Sequence, residues 1–390
     1  MVADAKPNWT ISGSNLIRTW LNRLGPFIGL LLVIVVFALV IESPERYLST
    51  TNLRVVLAQT VIVAIGAIGM TVIIISGGID LSVGSSIALS GVITALTVNT
   101  GASPAFALLL GVLLGGLVGF INGLVITGFT LYVLYFGLVI VIGGLLFRLG
   151  FRLVSLILVG AVLLGLLRLF VSLIRKATGR PLVRLKVVPF IATLGMLGIA
   201  RGAAKWLAGE QTVNVPATWL NQMLVTFPNP SWLLVSPGVW IAIVLAILAA
   251  LMLRNTVLGR RIFALGSNEA AARACGIPTD RLKIYVYALA GLLFGLAGVM
   301  QMSRLRQGDP TVAAGLELDI IAAVVIGGGS LSGGEGSILG SMIGALIMAF
   351  LRNGCQQVGW PNYIQEIIIG ALIVFAVAID RWRSSRLATG

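Results

Sequence analysis

The chain has no histidine and only two cysteines, Cys275 and Cys355, in 390 residues. The first absence removes every histidine-based catalytic triad, and the two together leave no Cys/His ligand set for a metal. Acidic residues are also scarce, 13 against 27 lysines and arginines, and charged residues make up 10% of the chain. A soluble domain uses roughly a quarter of its residues as charges to cover its surface. Here 58% of the residues are hydrophobic. They fall in continuous runs about as long as the ~20 residues a helix needs to cross a bilayer. A β-barrel would show short alternating segments instead. The composition therefore predicts an all-α, polytopic membrane protein, since helices satisfy their own backbone polar groups in lipid. The 48 glycines suit close helix packing and broken helices. The net charge of +14 is not a nucleic-acid signal, because no recognition module accompanies it.

Apolar segments lie at 25–41, 54–76, 83–98, 104–126, 129–147, 153–170, 187–208, 235–253, 284–303, 320–331, 337–351 and 364–380, about twelve transmembrane helices. Residues 1–24 are polar, and 25–41 reads as a retained helix rather than a removed signal peptide. Glycines break the pattern near 76–83 and 327–337. Basic clusters sit at the N-terminus (Lys6, Arg18, Arg23), at 168–186, at 254–283 and at the C-terminus (Arg381, Arg383, Arg386). With twelve spans and a cytoplasmic N-terminus, all four clusters and the C-terminus fall on the cytoplasmic side, as the positive-inside rule demands. The two cysteines then lie near opposite faces, which argues against a disulfide.

Three stretches stand out. ISGGIDLSVGSSIALSG (75–91) is echoed by IGGGSLSGGEGSILGSMIG (326–344) with one gap, a weak internal repeat whose copies both end a helix on the cytoplasmic side. In the first copy Asp80 is a costly carboxylate at membrane depth. It either caps the following helix or meets a permeating solute. In the second copy, Leu331-Ser332-Gly333-Gly334 resembles an ATPase signature, but no phosphate-cradling G-x-x-x-x-G-K-[ST] exists anywhere in the chain, so that reading fails. The third stretch, 254–283, is basic. Within it Asn268 is an N-cap candidate for Glu269–Ala274, and Gly276 with Ile277-Pro278 stops the helix. A short cytoplasmic helix rich in small residues permits close approach by another protein.

GMTVIIISGGIDLSVGSSIALSG, LGRRIFALGSNEAAARACGIPTDRLK and GGGSLSGGEGSILG together resemble the membrane permease subunits of bacterial ABC importers for simple sugars, the group that includes ribose, xylose and galactose permeases. The resemblance covers nearly all of the chain except about 128–184. It implies a single permease domain over 1–390 in the bacterial inner membrane, with a ten-helix core and an inserted helix pair at 128–184. It also implies that this chain is not an enzyme and binds no cofactor. A second copy of itself, two cytoplasmic ATPase domains that use ATP and Mg, and a periplasmic sugar-binding protein are the implied partners. The segment around Gly266–Gly276 is implied to be the coupling helix. Arg260, Arg261, Gly266, Asn268, Glu269, Ala271, Ala272, Gly276 and Ile277 are then the residues expected to meet the ATPase.

The insert of about 56 residues is similar to that of the longer, xylose-type permeases and points to D-xylose. Ribose, galactose and other pentoses are the alternatives, and a secondary carrier or a passive channel are others. The scarcity of intramembrane acids disfavours an ion-coupled carrier. A sugar route needs hydroxyl partners, and Gln59, Asp80, Ser82, Ser85, Ser86, Asn122, Asn353 and Gln357 could supply them. Trp206 and Trp360 fit interfacial anchors better than sugar platforms. Connections 209–234 and 304–319, the latter with Asp309, Glu317 and Asp319, are the expected docking surfaces for a binding protein.

Overall fold

A computed structural model gives the fold and describes residues 13–129 and 186–388, with Gly165 alone between them. The expected helix pair at 128–184 lies, apart from its first two positions and Gly165, outside the described residues. Ten of the twelve apolar segments are helices: α1 (Gly13–Val40), α3 (Thr50–Ile75), α4 (Val83–Asn99), α5 (Pro104–Ile126), α6 (Pro189–Ala208), α7 (Pro237–Asn255), α10 (Thr279–Leu305), α11 (Leu316–Ile326), α12 (Ile338–Val358) and α13 (Asn362–Ala388). The short helices α2 (Pro44–Tyr47), α8 (Val257–Ser267) and α9 (Glu269–Ala274) connect them. The only strands among the described residues are β1 (Val213–Asn214) and β2 (Gln307–Gly308), which pair antiparallel. The all-α polytopic reading holds.

Helix α3 is the axis of the protein. Every residue from Thr60 to Ile75 is buried, as expected of a helix that is apolar all round. It packs against α10, α11, α12 and α7. On the outside, Leu31 and Leu39 of α1 and Ile247 and Leu248 of α7 are exposed. In a membrane chain such faces meet lipid tails rather than water.

Lipid offers helices no hydrophobic drive to associate, so packing must come from close van der Waals fit and small residues. Helices α5 and α10 show how. Gly111, Gly115, Gly119 and Gly123 recur every fourth residue and face Ile284, Tyr287, Gly291 and Gly295. A Cβ at Gly115 would lie 2.5 Å from the Gly295 backbone, and one at Gly123 would lie 2.7 Å from Ile284 Cα. Any larger side chain on this seam pushes backbone away from backbone, at about 1–3 kcal/mol.

Because α10 runs 27 residues, its ends are about 40 Å apart at 1.5 Å per residue. One end carries α8, α9 and the basic loop, and is called the basic end below. The other carries the β1–β2 pair and is called the far end. Cys275 is exposed at the basic end, Cys355 is buried in α12, and both are free.

The expected outer docking loops need one correction. Asp309 stays on the connection, but Gly315, in the left-handed region at φ 80°, starts α11 early. Asp319 is thereby carried into the core at 1% exposure, and Glu317 into the first helical turn. The sequence reading missed this because the apolar run begins only at Ile320.

Candidate functional site

At the basic end the loop folds as its caps dictate. The Thr256 hydroxyl accepts from Gly259 N–H at 3.1 Å and opens α8. The Asn268 side chain accepts from Ala271 N–H at 2.9 Å and opens α9. Gly276, at φ 81°, and Ile277 close α9 by donating to Arg273 and Ala272 carbonyls. Ala272 is buried, whereas Ala270, Ala271, Arg273, Ala274 and Gly276 are exposed, as are Arg260 and Arg261 on α8. A charge network fastens α9 to α10: Glu269 pairs with Lys283 at 2.7 Å and with Arg273 at 3.1 Å, and Arg273 pairs with Asp280 at 3.4 Å, while Lys186, ahead of α6, joins it through Asp280 at 3.0 Å. Burial alone would push the Glu269 carboxyl up, but Lys283, then Lys186 and Arg273, outweigh it and hold it below its ordinary value. The result is a small, smooth, cation-flanked helix held in one position.

The two copies of the internal repeat meet directly beneath this loop. After α3, Gly77 N–H bonds Ile74 carbonyl and Gly78 N–H bonds Ile73 carbonyl. After α11, Gly328 N–H bonds Val325 carbonyl and Gly329 N–H bonds Val324 carbonyl. The same paired cap closes both helices, with φ of 81° at Gly77 and 91° at Gly328. The turns then touch, since Gly334 N–H donates to Ile75 carbonyl at 2.9 Å. Gly266, at the end of α8, is wedged between them: a Cβ there would sit 2.6 Å from Gly334 N and collide with Ile75 carbonyl. Three backbones share a contact that only glycine allows. No flexible side chain lies between Gly266 and the two turns.

The expected pathway residues divide. Asp80, Ser82 and Asn122 form a closed knot in the first copy. Asp80 Oδ1 accepts from Ser82 N–H at 2.8 Å and from its hydroxyl at 2.6 Å, and Asn122 donates to Asp80 Oδ2 at 3.2 Å. Asp80 is fully buried, and its bonds are those of a turn cap. Ser85 donates to Ser82 carbonyl, and Ser86 is buried beside it. Asn353 and Asn52 bond reciprocally at 3.0 Å, and Gln357 donates to Asn353. Trp360 packs edge-on against Phe37 with centroids 6.0 Å apart. Of the eight, Gln59 lines a cavity.

That cavity, of about 220 Å³, lies toward the far end between α3, α10, α11 and α12. Gln59, Gln301, Gln356, Arg304 and Arg352 supply its polar lining, among apolar residues such as Ile62 and Met348. Arg352 is ion-paired with the buried Asp319 at 2.6 Å, across the two helices of the second copy. The sequence reading missed Gln301, Arg304, Arg352 and Gln356 because they come from two helices far apart in the chain. One signal was available, an aspartate and an arginine each directly adjoining an apolar segment, 320–331 and 337–351, as opposite charges free to pair. No cluster of metal-ligating side chains occurs among the described residues.

Comparison with known proteins gives the context. The family described as branched-chain amino acid transport system / permease component matches residues 52–162 and 136–377. The ribose import permease protein RbsC of Escherichia coli (strain K12) is 35% identical over 372 residues, covering 95% of this chain and 98% of its own. RbsC of Bacillus subtilis (strain 168) is 34% identical, covering 94% of each chain. The xylose transport system permease protein XylH of Escherichia coli (strain K12) is 33% identical over 348 residues, 86% of each. No solved structure matches.

Proposed function

Because the chain belongs to this permease-component family of ABC importers for sugars and related solutes, we propose that it is the membrane-spanning subunit of an ATP-driven importer that carries a pentose inward. Two copies form the gate, two ATPase domains dock on the α9 faces, and a binding protein delivers sugar at the far end. ATP and Mg belong to the ATPase, not to this chain. The basic end with both termini then faces the cytoplasm of a bacterial inner membrane. The long insert argues for D-xylose, while the ribose permeases among its relatives argue for D-ribose.

The observation that carries this reading is the glycine junction. An exposed short helix, α9, positioned by caps and ion pairs, follows directly on the end of α8, where Gly266 is pressed against both repeat turns. ATPase closure pulls α8 and α9, and the two helix–turn–helix units tilt together between inward and outward openings, a two-state element biased by nucleotide.

Ala271→Trp tests it. Position 271 is exposed, so the fold tolerates the indole, but a partner seated on α9 does not. Uptake of labelled D-xylose and D-ribose by cells carrying the whole importer is expected to fall more than tenfold, with membrane levels of the chain unchanged. Normal uptake would remove α9 from the coupling surface. Uptake that collapses with a protonophore while ATP is maintained would replace the ATP-driven reading with a secondary carrier. Competition between the two pentoses decides the sugar.

A further inference from the structure

The far-end cavity has a charge imbalance. Two guanidinium groups, Arg304 and Arg352, line it. Asp319 neutralises Arg352 through the 2.6 Å pair. Among the described residues, no carboxylate forms an ion pair with Arg304, and its charged neighbour is Arg352 itself. Glu317 and Asp309 act on Arg201 instead, whose guanidinium also donates to the Pro310 and Val312 carbonyls. One positive charge is left over at the mouth of the cavity, where Arg304 lines the wall and also reaches the surface. Three carboxamides, Gln59, Gln301 and Gln356, each offer a donor and an acceptor. Carboxamides suit hydroxyl groups, which both give and take hydrogen bonds, and the guanidinium of Arg304 adds donors alone. At about 220 Å³ the space is below the ~300–1,000 Å³ of drug-sized pockets and fits one sugar ring, not two.

We infer that this cavity within a single protomer is a resting site for one monosaccharide, and that the unpaired charge of Arg304 makes it a filter that admits neutral or anionic sugars and rejects protonated amino sugars. The inference rests on the sugar-import reading above and adds where the sugar pauses and what is excluded. Arg304 is a selectivity residue here. Arg352 and Asp319 hold the wall in which it sits.

The test reads the charge of the chamber directly. In a Cys275→Ser background, Ala314→Cys places a thiol on the cavity wall. The full-length chain in lipid nanodiscs is labelled with two methanethiosulfonates of similar size, one carrying a sulfonate and one a trimethylammonium. Each rate is divided by that reagent's rate with a small thiol in solution. The sulfonate is expected to react about tenfold faster, the ratio to drop to near one in Arg304→Gln, and Arg304→Lys to restore it. D-xylose or D-ribose at tens of millimolar is expected to slow labelling by either reagent, and protonated D-glucosamine to leave it unchanged. Equal normalised rates, or a ratio unaltered by Arg304→Gln, would overturn the filter. If Arg304→Gln does not fold, Arg304→Lys keeps the question open to measurement, since loss of the ratio in that charged variant also counts against the proposal. Protection by neither pentose, or equal protection by glucosamine, would overturn the resting site. These readouts need no ATPase, so a chain that imports no pentose but keeps the tenfold ratio would sink the import reading while leaving the charge filter standing.

Discussion

The turn after α3 and the turn after α11 make the same backbone hydrogen bonds, yet side chains seal the first and leave the second open. In the first, Asp80 collects three hydrogen bonds from Ser82 and Asn122, and everything from Gly78 to Ile87 except Ile79 and Leu81 is buried. In the second, Ser330 stands where Asp80 does in the first and its hydroxyl accepts from Ser332 N–H at 3.4 Å, while Ser332, Glu335 and Ser337 are exposed. The first copy tethers its turn to α5 through Asn122, 42 residues away. The second has its anchor elsewhere, in the Asp319–Arg352 pair that ties α11 to α12 beside the cavity. One copy has its side-chain anchor at the turn and the other between its helices, so under the proposed coupling a pull through Gly266 would act on two differently anchored turns. Relative motion between the two is the expected response.

Substitutions sharpen that contrast. The largest effect is expected from Arg352→Met, which strands the Asp319 carboxylate in the core at about 3–5 kcal/mol. The double variant Asp319→Leu with Arg352→Met should recover most of that loss, because two apolar residues leave no charge unpaired. Thermal unfolding of the detergent-solubilised chain measures both. If the double variant is no better than the single one, the pair holds more than α11 to α12. Next comes the turn comparison. Asp80→Ala takes an acceptor from Ser82 and Asn122 and should cost about 1–3 kcal/mol, whereas Ser332→Ala, at an exposed position of the second turn, should cost under about 1 kcal/mol. Equal losses would mean that the backbone bonds, not the side chains, set the stiffness of the turns.

The smallest effect concerns pH at the basic end. The Glu269 pKa is held below its ordinary value, so its ionised form favours the folded arrangement. That contribution is complete above the ordinary carboxyl value of 4.5 and is lost as pH falls through the lower, folded value. Amide exchange in α9, corrected for intrinsic rates, should therefore be constant from pH 7 to 5 and rise in more acidic buffer. Lys283→Met should move the onset to higher pH, and an unchanged onset would remove Lys283 as the group responsible.

Local chemistry could be read directly from the chain. Asn268 and Gly276 bound α9 because a side-chain acceptor and a left-handed glycine act within a few residues of themselves. The breaks at 76–82 and 327–337 were visible for the same reason, as were the ten helices, since an apolar run about 20 residues long has few other fates in lipid. The repeat was legible in composition, and its matching caps supply the geometry behind that likeness.

What depended on distant residues was not legible. Asp80 had a cap reading and a solute reading, and the sequence showed neither its bond from Asn122 nor the reciprocal bonds between the pathway candidate Asn353 and Asn52. Asp319 belonged to a loop by hydropathy and to the core by contact, because one left-handed glycine started α11 before the apolar run did. The order of residues fixes spans, caps and breaks, since these depend on neighbours in the chain and on the solvent. Which polar groups seal one another and which are left facing a cavity was decided by helix packing, because a buried hydrogen-bonding group takes whatever partner the neighbouring helix brings within about 3 Å.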